Sequence, residues 1–122
     1  MVYWEHLAGG DVPSNSEDAA STENIIKRWV MLVLTLRITL HAPWVHSLKE
    51  KRMVVKSLVA KLRNKFNASV SEIDEQDIHQ TAVIGIAAIA ASQAQADSIA
   101  DAVLRFVEEN TEAEITAIEK DL

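Results

Sequence analysis

Residues 46–66 read HSLKEKRMVVKSLVAKLRNKF, and this stretch decides the fold. At about 100° per residue, Leu48, Val55, Leu58, Val59, Leu62 and Phe66 fall on one side, which predicts a single amphipathic helix. Ser47 fits the N-cap, and Glu50 three residues on completes a capping box. Lys49, Arg52, Lys56 and Arg63 line up beside the apolar stripe. The helix is therefore oily on one flank and cationic on the next.

Working outward, Trp29 to His41 (WVMLVLTLRITLH) precedes it. Leu32, Leu34, Leu36, Ile38 and Leu40 alternate with Thr35, Arg37, Thr39 and His41, the period of a strand with one buried face. Ala42-Pro43-Trp44-Val45 breaks that strand before the helix. After it, Asn67 to Ile73 reads as a second strand, Asp74-Glu75-Gln76-Asp77 as a polar turn, and Thr81 to Ala90 as a third strand. Gly85 marks a bulge or a close neighbour. Ser92 to Glu109 is a second helix, buried through Ile99, Ala102, Val103, Phe106 and Val107, with Asn110 as a C-terminal cap. Glu114 to Glu119 is a short last strand.

The order βαββαβ, with right-handed crossovers and one-sided burial, gives an α+β ferredoxin-like sandwich. Its antiparallel sheet is expected in the order 4-1-3-2, with both helices on one face. Residues 1–24 stand apart, with five acids, no Lys or Arg, and the run GGDVPSNSEDAAST, and read as a flexible acidic extension. A helical turn at Ser21 to Arg28 follows, and 25–122 form the domain.

Bulk composition narrows the function classes. A chain of 122 residues suits one core. No cysteine is present, which removes disulfides, thiolate nucleophiles and cysteine zinc sites and fits a reducing cytoplasm. No apolar run approaches the roughly 18 residues of a membrane span, and the start lacks the pattern of a signal peptide. Net charge is -6, but residues 46–66 hold seven Lys and Arg against one acid, leaving five bases and seventeen acids elsewhere. One cationic helix sits on an acidic body.

Stretches 40–52, 63–67 and 76–77 carry more than periodicity. Leu40-His41, Pro43, Ser47 to Arg52, Arg63 to Asn67 and Gln76-Asp77 resemble the YlxP-like family, a bacterial domain of unknown function. The likeness covers about residues 30–119. Two departures stand out: His79 replaces an aromatic residue usual in the family's hairpin, and the N-terminal extension has no counterpart there. The resemblance implies the ferredoxin-like fold and no established catalytic activity. Genes of such proteins commonly neighbour those for translation initiation and ribosome maturation factors. It thus implies ribosomal RNA or a ribosome-associated protein as partner.

Four constellations follow from the residues. Cations in the first turns of a helix oppose its dipole, at about 0.3–1 kcal/mol each when exposed, so stability does not explain them. Phosphate binding does, through Lys49, Arg52, Lys56 and Arg63, with Lys51, Lys61 and Lys65 as outer contacts. The opposing reading is a solvated face whose lysine stems shield the stripe. His41, His46, Asp77 and His79 are expected along one rim, a candidate metal or proton-transfer site that matches no metal motif. Glu72, Asp74, Glu75 and Asp77 lack the glycine of a calcium loop and read as an edge-protecting hairpin that pairs with Lys49 or Lys51. No aromatic lies on the two central strands except Trp29 at one edge, which argues against base stacking on the open sheet face. Val33, Val83, Ile89 and Ile73 make that face partly apolar, the signature of self-association. Trp44 in its short loop either anchors a partner or folds over the helix start.

These readings favour a non-enzymatic cytoplasmic binding protein, with no cofactor, that contacts RNA near the ribosome. The alternative is a homo-oligomeric interaction module without nucleic-acid contact, and after it a rim-site metal binder or enzyme.

Overall fold

Every second residue from Leu34 to Leu40 is apolar, and in the computed structural model these four side chains are buried while those between them are not. The structure describes residues 31–74 and 78–122. The extension at 1–24, the turn expected at Ser21 to Arg28, Trp29, and Glu75, Gln76 and Asp77 lie outside the described residues.

Among the described residues six elements follow in order: β1 (Leu32–His41), α1 (Leu48–Lys65), β2 (Ser69–Asp74), β3 (Thr81–Ala90), α2 (Gln93–Asn110) and β4 (Glu114–Asp121). The sheet order is β2-β3-β1-β4, every neighbour antiparallel, which is the expected 4-1-3-2 order read from the other edge. The fold is the ferredoxin-like sandwich. One core joins Leu34, Leu36, Ile38 and Leu40 of β1 and Ile84 and Ile86 of β3 to Val55, Leu58 and Leu62 of α1 and Ala96, Ala100, Val103 and Val107 of α2. The α2 stripe thus runs through two alanines, Ala96 and Ala100, where the periodicity gave Ala102; small side chains there let that helix approach the sheet closely.

Both helices begin alike. Ser47 Oγ accepts from the Glu50 N–H at 3.1 Å, and Ser92 Oγ accepts from the Gln95 N–H at 3.1 Å. Glu50 and Gln95 reach back in turn, but to the residue before the cap: the N–H groups of His46 and Ala91 donate to them. Each cap contributes about 1 kcal/mol. At the other end of α2 the cap is Thr111 rather than Asn110, whose side-chain amide instead donates to the Phe106 carbonyl at 2.9 Å. Phe66 and Phe106 then meet edge to face, ring centres 5.5 Å apart, and fasten the two helices.

The β2–β3 pairing slips between Glu72 and Asp74. Ile73 is the extra residue of a bulge, and it lies over Gly85, where an added Cβ would stand 2.9 Å from its Cγ2. The slip changes the parity of the strand. Glu72 faces the helices opposite Ile84, while Asp74 turns to the open face opposite Val83. There its carboxylate accepts from Arg37 Nη2 at 2.8 Å, and Glu119 Oε2 lies 3.7 Å from Arg37 Nε on the far side. Three strands are thereby tied across the sheet.

At the edge, Lys120 of β4 donates to Asp97 of α2 at 2.6 Å. That hydrogen bond, followed by the Lys120 charge, lowers the Asp97 pKa below its ordinary 3.8. A depressed carboxylate contributes stability above its unfolded pKa and loses it as pH falls through the folded one. Urea unfolding of Asp97→Asn should therefore show a deficit against the parent near neutral pH that closes below about pH 3.8; a deficit unchanged at pH 2 would contradict the assignment.

Gly85→Ala should destabilise the fold by about 1–3 kcal/mol in the same assay, because β-branched Ile73 cannot swing its Cγ2 aside. In an Ile73→Ala background the sign should reverse, with alanine in the strand stabilising by about 0.5–1 kcal/mol relative to glycine.

Candidate nucleic-acid interface

The sequence of α1 places Lys51 in the middle of the apolar stripe, one turn before Val55. The structure buries it at 3% exposure. Its ammonium donates to the Ile78 carbonyl at 2.7 Å and lies 3.0 Å from Glu72 Oε2. Lys51 thus is not an outer contact of the cationic strip. It anchors the helix start to β2 and to the segment entering β3, and the expected pairing of the acidic hairpin with the helix is made through it.

Arg63 is placed differently again. Its Nε and Nη2 both donate to the Val70 carbonyl, at 3.1 and 2.6 Å. The guanidinium caps an outward-facing carbonyl of an edge strand, a group that a neighbouring chain would otherwise take. Its charge stays at the surface, but its geometry is fixed by β2.

Lys49, Arg52 and Lys56 are exposed. They lie within an arc of about 60° on a helix turning 100° per residue, and span about 10 Å at 1.5 Å per residue. Among the described residues no acid forms an ion pair with any of the three. Lys61 and Lys65 are exposed as well. The arrangement offers three uncompensated cations in one short row, with Arg63 two turns farther along the same flank. Such a row can pair with the oxygens of successive phosphates.

The rim is organised by a residue that periodicity passed over. Gln80 Nε2 donates to the Pro43 carbonyl at 3.1 Å and lies 3.4 Å from that of Val45, and the Ala42 N–H donates to the Gln80 carbonyl at 2.8 Å. This clamp holds the β1–α1 loop. His41 closes β1 on the open sheet face, opposite Thr81 and Glu114. His46 lies in the loop before α1, and His79 lies in the β2–β3 connection; Asp77 is outside the described residues. Among the described residues no three His, Asp or Glu side chains are grouped to hold a metal ion. No described helix is long and apolar enough to cross a membrane.

Trp44 takes a middle course between its two readings. It leans along the helix start, lining a groove of about 340 Å³ with Met53, Ser57 and Thr111, yet stays 39% exposed. Val45 is buried at 1%.

Comparison with known proteins bears on this geometry. The family described as "Protein of unknown function (DUF503)" matches residues 33–120, which takes in all but the outermost residues of the sandwich. The chain belongs to the DUF503 family. One DUF503 relative is the "Uncharacterized protein YlxP" of Bacillus subtilis (strain 168), 44% identical over 70 residues that span 57% of this chain and 76% of the relative. The Ser47 to Arg52 stretch that carried the likeness combines, in this DUF503 chain, an N-cap, a capping acid, a buried anchor and two exposed cations.

Removing Lys51 alone would leave the Glu72 carboxylate, 17% exposed, without its ammonium. Lys51→Met should cost about 3–5 kcal/mol in denaturant unfolding, whereas Lys51→Met with Glu72→Leu should recover most of it. Equal losses in single and double variants would show that the pair is not the source of the effect.

Proposed function

We propose that this DUF503 protein is a non-enzymatic binding protein that contacts the phosphate backbone of RNA, ribosomal RNA in the first instance, through the exposed flank of α1. The observation that carries the reading is the row Lys49, Arg52 and Lys56, three cations that no described acid neutralises. Lys49 stands in the first turn of α1, where a cation works against the helix dipole, so a use outside the fold accounts for it better than stability does. The acidic remainder of the chain limits indiscriminate attachment, since any polyanion approaching elsewhere meets repulsion.

A second reading, self-association through the open sheet face, draws on Val33, Ile73 and Ile89, which are 48%, 48% and 65% exposed. Val83 does not join them, being buried. That face also carries Asp74, Glu114, Glu119 and Asp121 against Arg37, so two copies meeting there would set acid against acid. The RNA reading is the stronger of the two.

Co-sedimentation with ribosomal subunits, and titration of single-stranded ribosomal RNA fragments, test it. Three phosphate contacts predict a log–log salt slope of about -2, a loss of roughly twentyfold between 50 and 200 mM salt. Lys49→Glu with Arg52→Glu should abolish binding, and Lys51→Met with Glu72→Leu should leave it intact. Binding indifferent to salt, or untouched by the double reversal, contradicts the reading.

A further inference from the structure

The sheet face away from the helices has no covering among the described residues, and its surface is patterned. Its middle is built from small side chains, Thr35, Ser69, Ser71, Gly85 and Ala87, which leave a shallow trough of about 440 Å³. Ile73 borders the trough, and Val33 and Ile89, cross-strand neighbours, supply exposed apolar surface at one end of the sheet. Glu119 and Asp121 of β4 stand at the other side of the trough. The Arg37 charge at the centre is already matched by Asp74 and approached by Glu119. The face is thus acidic in balance, with Arg37 and the imidazole of His41 against Asp74, Glu114, Glu119 and Asp121.

We infer that this trough is the docking surface for a short basic amphipathic helix of a partner protein, its apolar residues over Val33, Ile89 and the small-residue floor, its Lys or Arg side chains toward Glu119 and Asp121. Charge complementarity selects the occupant. Phosphate would be repelled, so the surface is separate from the α1 flank and the inference stands without the RNA reading. A second copy is disfavoured twice. Face against face, acids would meet acids; and among the described residues the basic helix, α1, spends its apolar stripe on its own core, leaving no apolar side to insert.

Dimensions favour a helix. The trough takes lining residues from all four strands and so crosses them. Strands about 4.8 Å apart put the outer two about 14 Å from each other, close to three turns of helix at about 5.4 Å. A strand would add at an edge instead, and at Val70 the β2 edge is occupied by Arg63. An amphipathic helix in a groove reads as anchors spaced three and four apart, with flanking charge for orientation.

The test uses the full ¹⁵N-labelled chain and a synthetic helical peptide of about 15 residues, Leu and Ala on one face and Lys and Arg on the flanks. A counterpart with Glu flanks is the control. The basic peptide should shift the amide resonances of Val33, Thr35, Ser71, Ala87 and Ile89, and the Glu peptide should bind at least tenfold more weakly. Glu119→Gln with Asp121→Lys, which leaves Asp74 on Arg37, should weaken the basic peptide by tenfold or more, while Lys49→Glu with Arg52→Glu should not. Three results would overturn the inference: shifts confined to α1 or the Trp44 groove, equal binding of both peptides, or a dimer in sedimentation that Val33→Asp with Ile89→Asp dissociates.

Discussion

The rotation of α1 about its own axis is the constraint on which the rest depends. Three leucine and valine side chains could tolerate a helix rolled by some tens of degrees. A buried ammonium cannot, because an unpaired charge in the core costs several kcal/mol. Lys51 therefore fixes the roll by meeting Glu72 and the Ile78 carbonyl at the same time. Once that angle is set, Lys49, Arg52 and Lys56 are aimed at water, and Arg63 is brought within reach of Val70. One cation is spent inside so that its neighbours are displayed outside.

The bulge at Ile73 does the matching work on the sheet. Without it, Glu72 and Asp74 would share a face by strand periodicity. With it, one carboxylate serves the helix layer and the other serves Arg37 on the open side. Gly85 makes room for the bulged side chain. The same slip therefore supports both surfaces of the molecule: the helix roll that exposes cations above, and the charge-linked strands that frame the trough below.

Much of this was legible in the residues. The alternation from Leu32 to Leu40, the stripe from Val55 to Leu62 and the serine caps specify the elements, and their order specifies the topology. Gly85 announced its close neighbour. Lys51 was legible too, since it falls within the apolar arc, but counting charges along the helix treats every lysine as solvent-facing. Arg63 was not, because its acceptor belongs to another element and becomes available only when β2 is an edge. Arg37 looked like one more outward strand position; its carboxylate partners lie on strands far along the chain, one of them placed by a bulge. The rim histidines suggested chemistry by type, whereas the loop is held by Gln80, a residue with no chemical signature at all.

The central claim is that the roll of α1 leaves a bare cationic row fit for a polyanion. Titrating the ¹⁵N-labelled chain with a single-stranded ribosomal RNA fragment at low and moderate salt tests it most directly. The account predicts that the amides around Lys49, Arg52 and Lys56 shift, that those of the sheet face stay silent, and that the shifts fade as salt rises. Shifts centred on the sheet face, or none at low salt, would contradict it.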